Sequence, residues 1–433
     1  MQQIIFIVVL GAVSFFAGKG FLRIRRNILL GKDEAITGDS TTRWKNLVLI
    51  AFGQKKMFER IVPAIFHFFI YVAFIFTQIE LIEIIVDGVS GSHRTFATAL
   101  GGFYTLILNS IEILSVLAFL ATIVFLSRRN LLKLPRLVKS ELNGWPKLDA
   151  NLILLAEIVL ISAIFVMNGA DGLLQSIHPE HYPATGPLYL SSLFADSCLA
   201  SFSSSTLVVL ERSGWWLHNL VVFGFMIYLP YSKHLHIFLS FPNVYFSKLT
   251  PRGQMENMPE IMHEVKSMLG LGDSSTSTEV PEFGANDVTS LSWKNILDAY
   301  SCTECGRCTS VCPANLTGKK LSPRKVMMDV RDRADEVGAK IQAQNIDKSA
   351  FADDKSLFDY ISAEEIHACT TCNACVEACP VLINPLDIIL KMRRYEILTL
   401  SQGPTDWLPM FNALENTGAV WQMPIERTAW IQN

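Results

Sequence analysis

Charge is what this chain has little of. Only 18% of its 433 residues are Asp, Glu, Lys or Arg, against about 25% in an ordinary soluble domain. An excess of basic residues is missing as well: 37 Lys and Arg stand against 40 Asp and Glu, a net charge of −3. That balance argues against a nucleic-acid-binding surface. No nucleophile elbow, Gly-rich phosphate loop or dinucleotide fingerprint occurs, so acyl-transfer and nucleotide chemistry have no residues to carry them. Outside residues 302–379 there is one cysteine, Cys198, which excludes a disulfide framework. Half of the residues are hydrophobic, and they gather in long runs ahead of a polar, cysteine-bearing region. The sequence reads as a membrane domain with a soluble one attached.

Five apolar runs are long enough, or nearly so, to cross a bilayer: about 2–19, 60–86, 102–127, 151–168 and 214–240. The first lacks a basic leading region and a small-residue cleavage site, and reads as an anchor instead of a signal peptide. The loops 19–60 and 128–150 hold sixteen Lys and Arg, while 87–101 and 169–213 hold one each, Arg94 and Arg212. The positive-inside rule then places the N-terminus outside and everything after 240 in the cytoplasm, in the cytoplasmic membrane of a cell. Residues 188–206 are too Ser-rich for a sixth span and are expected to form an external or half-buried helix, with Cys198 a small core residue. Residues 1–248 are thus a transmembrane domain, 249–290 a polar linker, 291–400 a soluble helical domain and 401–433 a tail. The fold class is all-α: a five-helix transmembrane bundle plus a cytoplasmic helical domain.

Eight cysteines form two copies of C-x2-C-x2-C-x3-C-P, at Cys302, Cys305, Cys308 and Cys312 and again at Cys369, Cys372, Cys375 and Cys379. Three thiolates at this spacing wrap one cuboidal cluster, and the fourth is carried by the following helix to the other. Cys302, Cys305, Cys308 and Cys379 are therefore expected to hold one [4Fe–4S] cluster, and Cys369, Cys372, Cys375 and Cys312 the second. Structural zinc also suits C-x2-C, but it gives no reason for the full pattern to occur twice. Ser322-Pro323 ahead of KVMMDVRDRADEV predicts a capped helix between the motifs, favouring a helical ferredoxin over the small hairpin type.

Polar residues inside spans are functional candidates. His67 lies near the cytoplasmic end of the second run, and His234 and His236 lie at the cytoplasmic end of the fifth, at matched depth. Two spans offering imidazoles at one depth is what bis-His ligation of a haem b requires; histidines packed among headgroups are the alternative. His218 and His236 are 18 residues apart, which on one helix places them on a shared face about 27 Å apart. His218 is thus a candidate for a second, outer haem, with His93 as its possible partner, while His178, His181, His263 and His367 read as surface. Of the other polar groups in the spans, Glu112 and Glu157 are candidates for quinone protonation, with interhelical hydrogen bonding as the alternative.

Two resemblances follow from these residues. RIVPAIFHFF (60–69) and WWLHNLVVFGFMIYLPYSKHLHIFLSFPNVYF (215–246) resemble the haem b membrane domain of the gamma subunit of respiratory nitrate reductase. That resemblance implies five spans and haem ligation by His67, His218 and His236; the family's second ligand on span two falls near Thr77, a departure from its pattern. FGANDVTSLSWKNILDAYSCTECGRC, PANLTGKKLSPRKV and HACTTCNACVEACPVLINPLDIILKMRR are similar to the ferredoxin-like part of heterodisulfide-reductase-type iron–sulfur oxidoreductases, as is the tail FNALENTGAVWQMPIERTAW. In that family the tail leads into a cysteine-rich CCG domain. No CCG pair occurs here, so the resemblance implies a split form with that domain on a separate subunit. Fused forms look like membrane dehydrogenases that reoxidise electron-transfer flavoprotein with menaquinone.

The sequence therefore describes a membrane electron-transfer subunit with two [4Fe–4S] clusters and one or two haems b. It would link a cytoplasmic CCG-type partner, and through it electron-transfer flavoprotein, to menaquinone or ubiquinone in the lipid. A redox-sensing scaffold and an anchor subunit of another respiratory oxidoreductase are the competing readings.

Overall fold

The computed structural model describes residues 2–255, 257–271, 283–421 and 429–431, and among these there is no β-strand. Five long helices, α1 (Gln2–Ile28), α2 (Ile61–Ser90), α3 (Gly102–Asn130), α4 (Trp145–Ile177) and α5 (Ser204–Tyr228), form one bundle. The first four are long and apolar enough to cross a membrane. α5 is as long as a span, but it carries Glu211, His218 and Asn219, all buried against its neighbours.

Close backbone approach holds α5 to α4. A Cβ at Gly214 would stand 2.9 Å from the Ala163 carbonyl oxygen, so only glycine permits this contact. At the other side of the bundle Phe6 of α1 is fully buried, its ring 5.4 Å from Trp215 and 5.6 Å from Phe223. Gly88 of α2 admits that ring, since a Cβ there would lie 2.5 Å from it.

Two expectations need correction. The run 214–240 is not one helix: α5 ends at Tyr228, and two 3-10 turns, Leu229–Tyr231 and Lys233–Leu235, precede a new helix, α6 (His236–Tyr245). Pro230 brings no N–H to the ladder, and Ser232 caps the second turn by accepting from the His234 amide. His218 and His236 therefore lie on different helices, and the shared-face spacing does not apply. Cys198 is exposed instead of buried, on a turn (Ala195–Leu199) that follows the short helix Tyr189–Phe194.

The soluble domain is built around α7 (Trp293–Tyr300), α8 (Pro323–Gln344) and α9 (Pro385–Arg394). Ser322 caps α8 by accepting from the Lys325 amide, with Pro323 in its first turn. Ordered packing begins ahead of residue 291: Ala285, Val288 and Leu291 are fully buried in the domain core, although their Pro/Gly/Asn-bearing segment reads as linker. Ile24, Leu30 and Leu235 of the membrane portion belong to that same core. α1 runs past its expected end as a stalk, and the buried amide of Asn27 donates to the Tyr300 hydroxyl (3.0 Å) and Asp335 (2.9 Å). The cysteine-bearing domain is thus packed onto one end of the bundle, sharing its core with α1.

Candidate metal centres

The two cysteine loops have one backbone design. Glu304 and Thr371, each between the first and second cysteine, have φ of 55° and 56°, and Gly306 and Asn373, each after the second, have 69° and 60°. Left-handed residues at alternate positions curl the chain around a central volume and turn amides inward. The Thr371 amide accordingly donates to Cys369 Sγ (3.4 Å), and the Glu304 amide donates to the Cys302 sulfur. A short helix follows each loop, Arg307–Val311 and Ala374–Ala378, and ends at the motif's fourth cysteine, Cys312 and Cys379. The thiol of Cys379 feels Cys305 and Cys302, whereas Cys375 feels Cys369, Cys312 and Cys372.

Burial pushes the Cys302, Cys375 and Cys379 thiols up to about 12, so metal must displace protons to bind there. Among the described residues no three His, Cys, Asp or Glu side chains converge closely enough for a single ion. The donor set and its spacing fit iron–sulfur clusters.

The Cys302 loop faces the membrane domain. Arg136 donates to the Cys305 carbonyl (3.0 Å), and Arg307 reaches the carbonyls of Lys56 (2.9 Å) and Met57 (3.2 Å). Lys56 binds the Glu377 carbonyl, Arg60 the Ser310 hydroxyl (3.0 Å) and Lys139 the Asn315 side chain (3.2 Å). Glu304 is clamped between Lys233 and Arg331. Burial alone would raise its carboxyl, but those two cations outweigh it and hold the group below the ordinary carboxylate value. The Cys369 loop lies on the other side: Cys372 is exposed. Its neighbour His367 is not the surface residue expected, since it pairs with Glu396 (2.7 Å) and packs against Trp407 (5.2 Å between rings).

Beneath the Cys302 loop the structure brings His67 and His236 together, ring centroids 6.5 Å apart, with His234 5.4 Å from His236. The Nδ1 of His67 meets Gln54 Oε1 (3.0 Å), and that of His236 meets the Lys233 carbonyl (3.1 Å). With Nδ1 as donor in each, both Nε2 atoms are left as ligands, the tautomer that a metal-binding histidine needs. His67 and His236 are thus the residues that would hold a haem iron, each through Nε2, and such a group would supply one-electron transfer.

The outer candidates are not assembled in this way. His218 is buried against the Leu160 backbone, with Nδ1 unpartnered. Thr77 bonds back to the Phe74 carbonyl. His93 has both nitrogens engaged, by Asp171 (2.7 Å) and Arg212 (3.1 Å). It belongs to a buried polar network in which Arg94 bridges Asn168, Asp171 and Glu80, while Glu83 accepts from the Tyr104 hydroxyl (2.6 Å). Glu112 accepts from the amides of Leu190 and Ser191 (3.2 Å each), tying α3 to the Tyr189–Phe194 helix, as interhelical bonding requires. Glu157 is half-buried on α4 and makes no hydrogen bond among the described residues. Sequence reasoning missed Gln54, Lys56, Arg136 and Lys233 as site residues. For Lys56 and Arg136 the signal is the basic loops 19–60 and 128–150; Gln54 and Lys233 lie outside that signal, Gln54 being uncharged and Lys233 being in the apolar run 214–240.

A family model for a 4Fe-4S dicluster domain matches residues 301–383. Over 93% of its length the chain is 27% identical to a protein of Bacillus subtilis named probable iron-sulfur-binding oxidoreductase FadF. Over 97% it is 26% identical to the EtfAB:quinone oxidoreductase of Syntrophomonas wolfei. The chain spans 57% and 58% of those two relatives' own lengths. A third, named a probable membrane-anchored ferredoxin of Chromohalobacter salexigens, is 32% identical over 28% of this chain and 20% of its own. No solved structure matches. Together with the paired cysteine loops, these likenesses support an iron–sulfur oxidoreductase-type protein that carries 4Fe–4S clusters on a helical membrane domain.

Proposed function

We propose that the protein passes electrons between a cytoplasmic iron–sulfur or flavoprotein partner and the membrane quinone pool. Cys369, Cys372, Cys375 and Cys312 hold the [4Fe–4S] cluster that meets the partner. Cys302, Cys305, Cys308 and Cys379 hold the cluster that meets the membrane domain, and His67 and His236 hold one haem b beneath it. α5 serves as the fifth span, with the N-terminus outside and the ferredoxin domain in the cytoplasm. Each bound group supplies one-electron transfer; the chain supplies position and potential.

One observation carries this reading: four basic side chains, Lys56, Arg60, Lys233 and Arg307, bind the cluster-bearing domain to segments that carry or adjoin His67 and His236. Arg136, Lys56 and Lys233 fix the distance between the Cys302 loop and the imidazole pair. Gln54 and the Lys233 carbonyl orient the two rings. On the far side Leu408 and Phe411 are exposed on α10 (Leu408–Thr417), which follows Trp407 beside His367. This apolar face suits a CCG-type iron–sulfur partner, with electron-transfer flavoprotein beyond it. The relatives named for quinone oxidoreduction and membrane anchoring support the same assignment.

The test is the cofactor content of the detergent-purified chain, with haem b measured as pyridine haemochrome and clusters by iron, sulfide and EPR. Two clusters and one haem per chain are expected. A second haem would bring in His218. An absence of haem would leave His67 and His236 as packing residues and overturn the assignment.

A further inference from the structure

A cavity of about 240 Å³ lies at the seam between the bundle and the soluble domain, bounded by Trp145, Tyr231, Lys233, Tyr300, Glu304 and Asp335. We infer that it binds the headgroup of a membrane quinone, which deepens the quinone-linked function proposed above and rests on it.

Four features point to that ligand. The first is place. Trp145 and Tyr231 are about half exposed, at the start of α4 and just after α5, and aromatic residues at span ends mark the membrane–water boundary. A lipid-tailed molecule can therefore present its head here with its tail in the bilayer.

The second is size. A cavity of about 150 Å³ accepts one benzene ring, so about 240 Å³ takes a substituted or fused ring. The cavity near His93 and Arg94, about 80 Å³, is about half the size that accepts one benzene ring.

The third is chemistry. The walls mix aromatic and aliphatic surface, including Leu235, with donors for carbonyl oxygens. The Lys233 ammonium gives two of its three N–H donors to Pro146 O (2.6 Å) and Glu304 and stands 3.9 Å from the Asp149 carboxylate, and the Tyr231 hydroxyl has no hydrogen-bond partner among the described residues. Asp149, Glu304, Asp332 and Asp335 outnumber Lys233 and Arg331 on the walls, which disfavours a phosphate or another anion.

The fourth is its neighbours. Glu304 lies between Cys302 and Cys305, while Lys233 and Leu235 flank His234 and adjoin His236. The headgroup would sit between the two places where electrons are held. A quinone there takes up two electrons, which originate in the reduced partner and arrive singly, and two protons from cytoplasmic water. Quinol is formed and the partner is oxidised; the reverse step is the same exchange. Asp332 opens to solvent beside Asp335 and gives the protons a polar path.

The experiment titrates menadione and decylubiquinone into the detergent-solubilised, cofactor-loaded full chain and measures Kd by equilibrium binding. Asp332→Trp fills the cavity from an exposed helix position and is expected to weaken binding at least tenfold. Tyr231→Phe, which removes one oxygen, should weaken it several-fold, and both variants should keep the cluster EPR and haem spectra. Glu112→Gln and Glu157→Gln should leave Kd unchanged. Unchanged Kd in both cavity variants, or loss of binding in Glu157→Gln, overturns the cavity as the site. If the unaltered chain binds neither quinone, the quinone-linked function itself fails.

Discussion

His67 and Cys312 show how much depends on single side chains. His67 donates Nδ1–H to Gln54, which is what frees Nε2. Gln54→Leu should keep the fold and lower haem affinity by about ten- to hundredfold, the usual cost of losing a residue that orients a metal-bound histidine. His67→Ala should abolish haem absorbance, and a haem titration of the purified apoproteins checks both. Cys312 belongs to the first motif in sequence, but its electrostatic influence falls on Cys369 and Cys375 of the second. Cys312→Ser should therefore remove the same EPR signal as Cys369→Ser and spare the one lost in Cys305→Ser. If Cys312→Ser and Cys305→Ser lost the same signal, the crossed ligation would be wrong. The cysteines were legible because their chemistry is written in local spacing. Gln54 was not, because it meets His67 only after the inner loop folds back onto α2.

Among the elements, α1 and α5 decide how the two halves meet. Gly214 lets α5 lie against the Ala163 carbonyl of α4, and Gly214→Val should cost about 2 kcal/mol from overpacking, read as a lower unfolding temperature in detergent. Asn27 on the α1 stalk ties to Tyr300 and Asp335, and Asn27→Leu should cost about 1–3 kcal/mol by leaving buried partners unsatisfied. Faster proteolytic release of the soluble domain would report that loss. Hydropathy found the four helices that are long and apolar enough to cross a membrane and blurred their ends. It joined 214–240 across Pro230 because the residues on both sides are apolar, although Pro230 and Ser232 carried the signal for a break. It also assigned 283–290 to a linker, because Ala285 and Val288 are buried only by α9 and the rest of the core, far along the chain.

At the scale of the molecule, the basic inner loops act twice. In the proposed topology their charge orients the chain in the membrane, and the same side chains bind the cluster domain. The charge of these loops is legible in the sequence; their bonds to the cluster domain needed the fold, because Arg136 and Cys305 are 169 residues apart. The account holds the two clusters in series, the Cys302 set between the Cys369 set and the membrane. The most direct test mixes anaerobically reduced protein with a quinone analogue and follows haem absorbance and freeze-quenched cluster EPR. In the unaltered chain haem and both clusters should reoxidise together; in Cys305→Ser the Cys369-set signal should stay reduced while the haem oxidises. Reoxidation of that signal in Cys305→Ser as fast as in the unaltered chain would contradict the series arrangement.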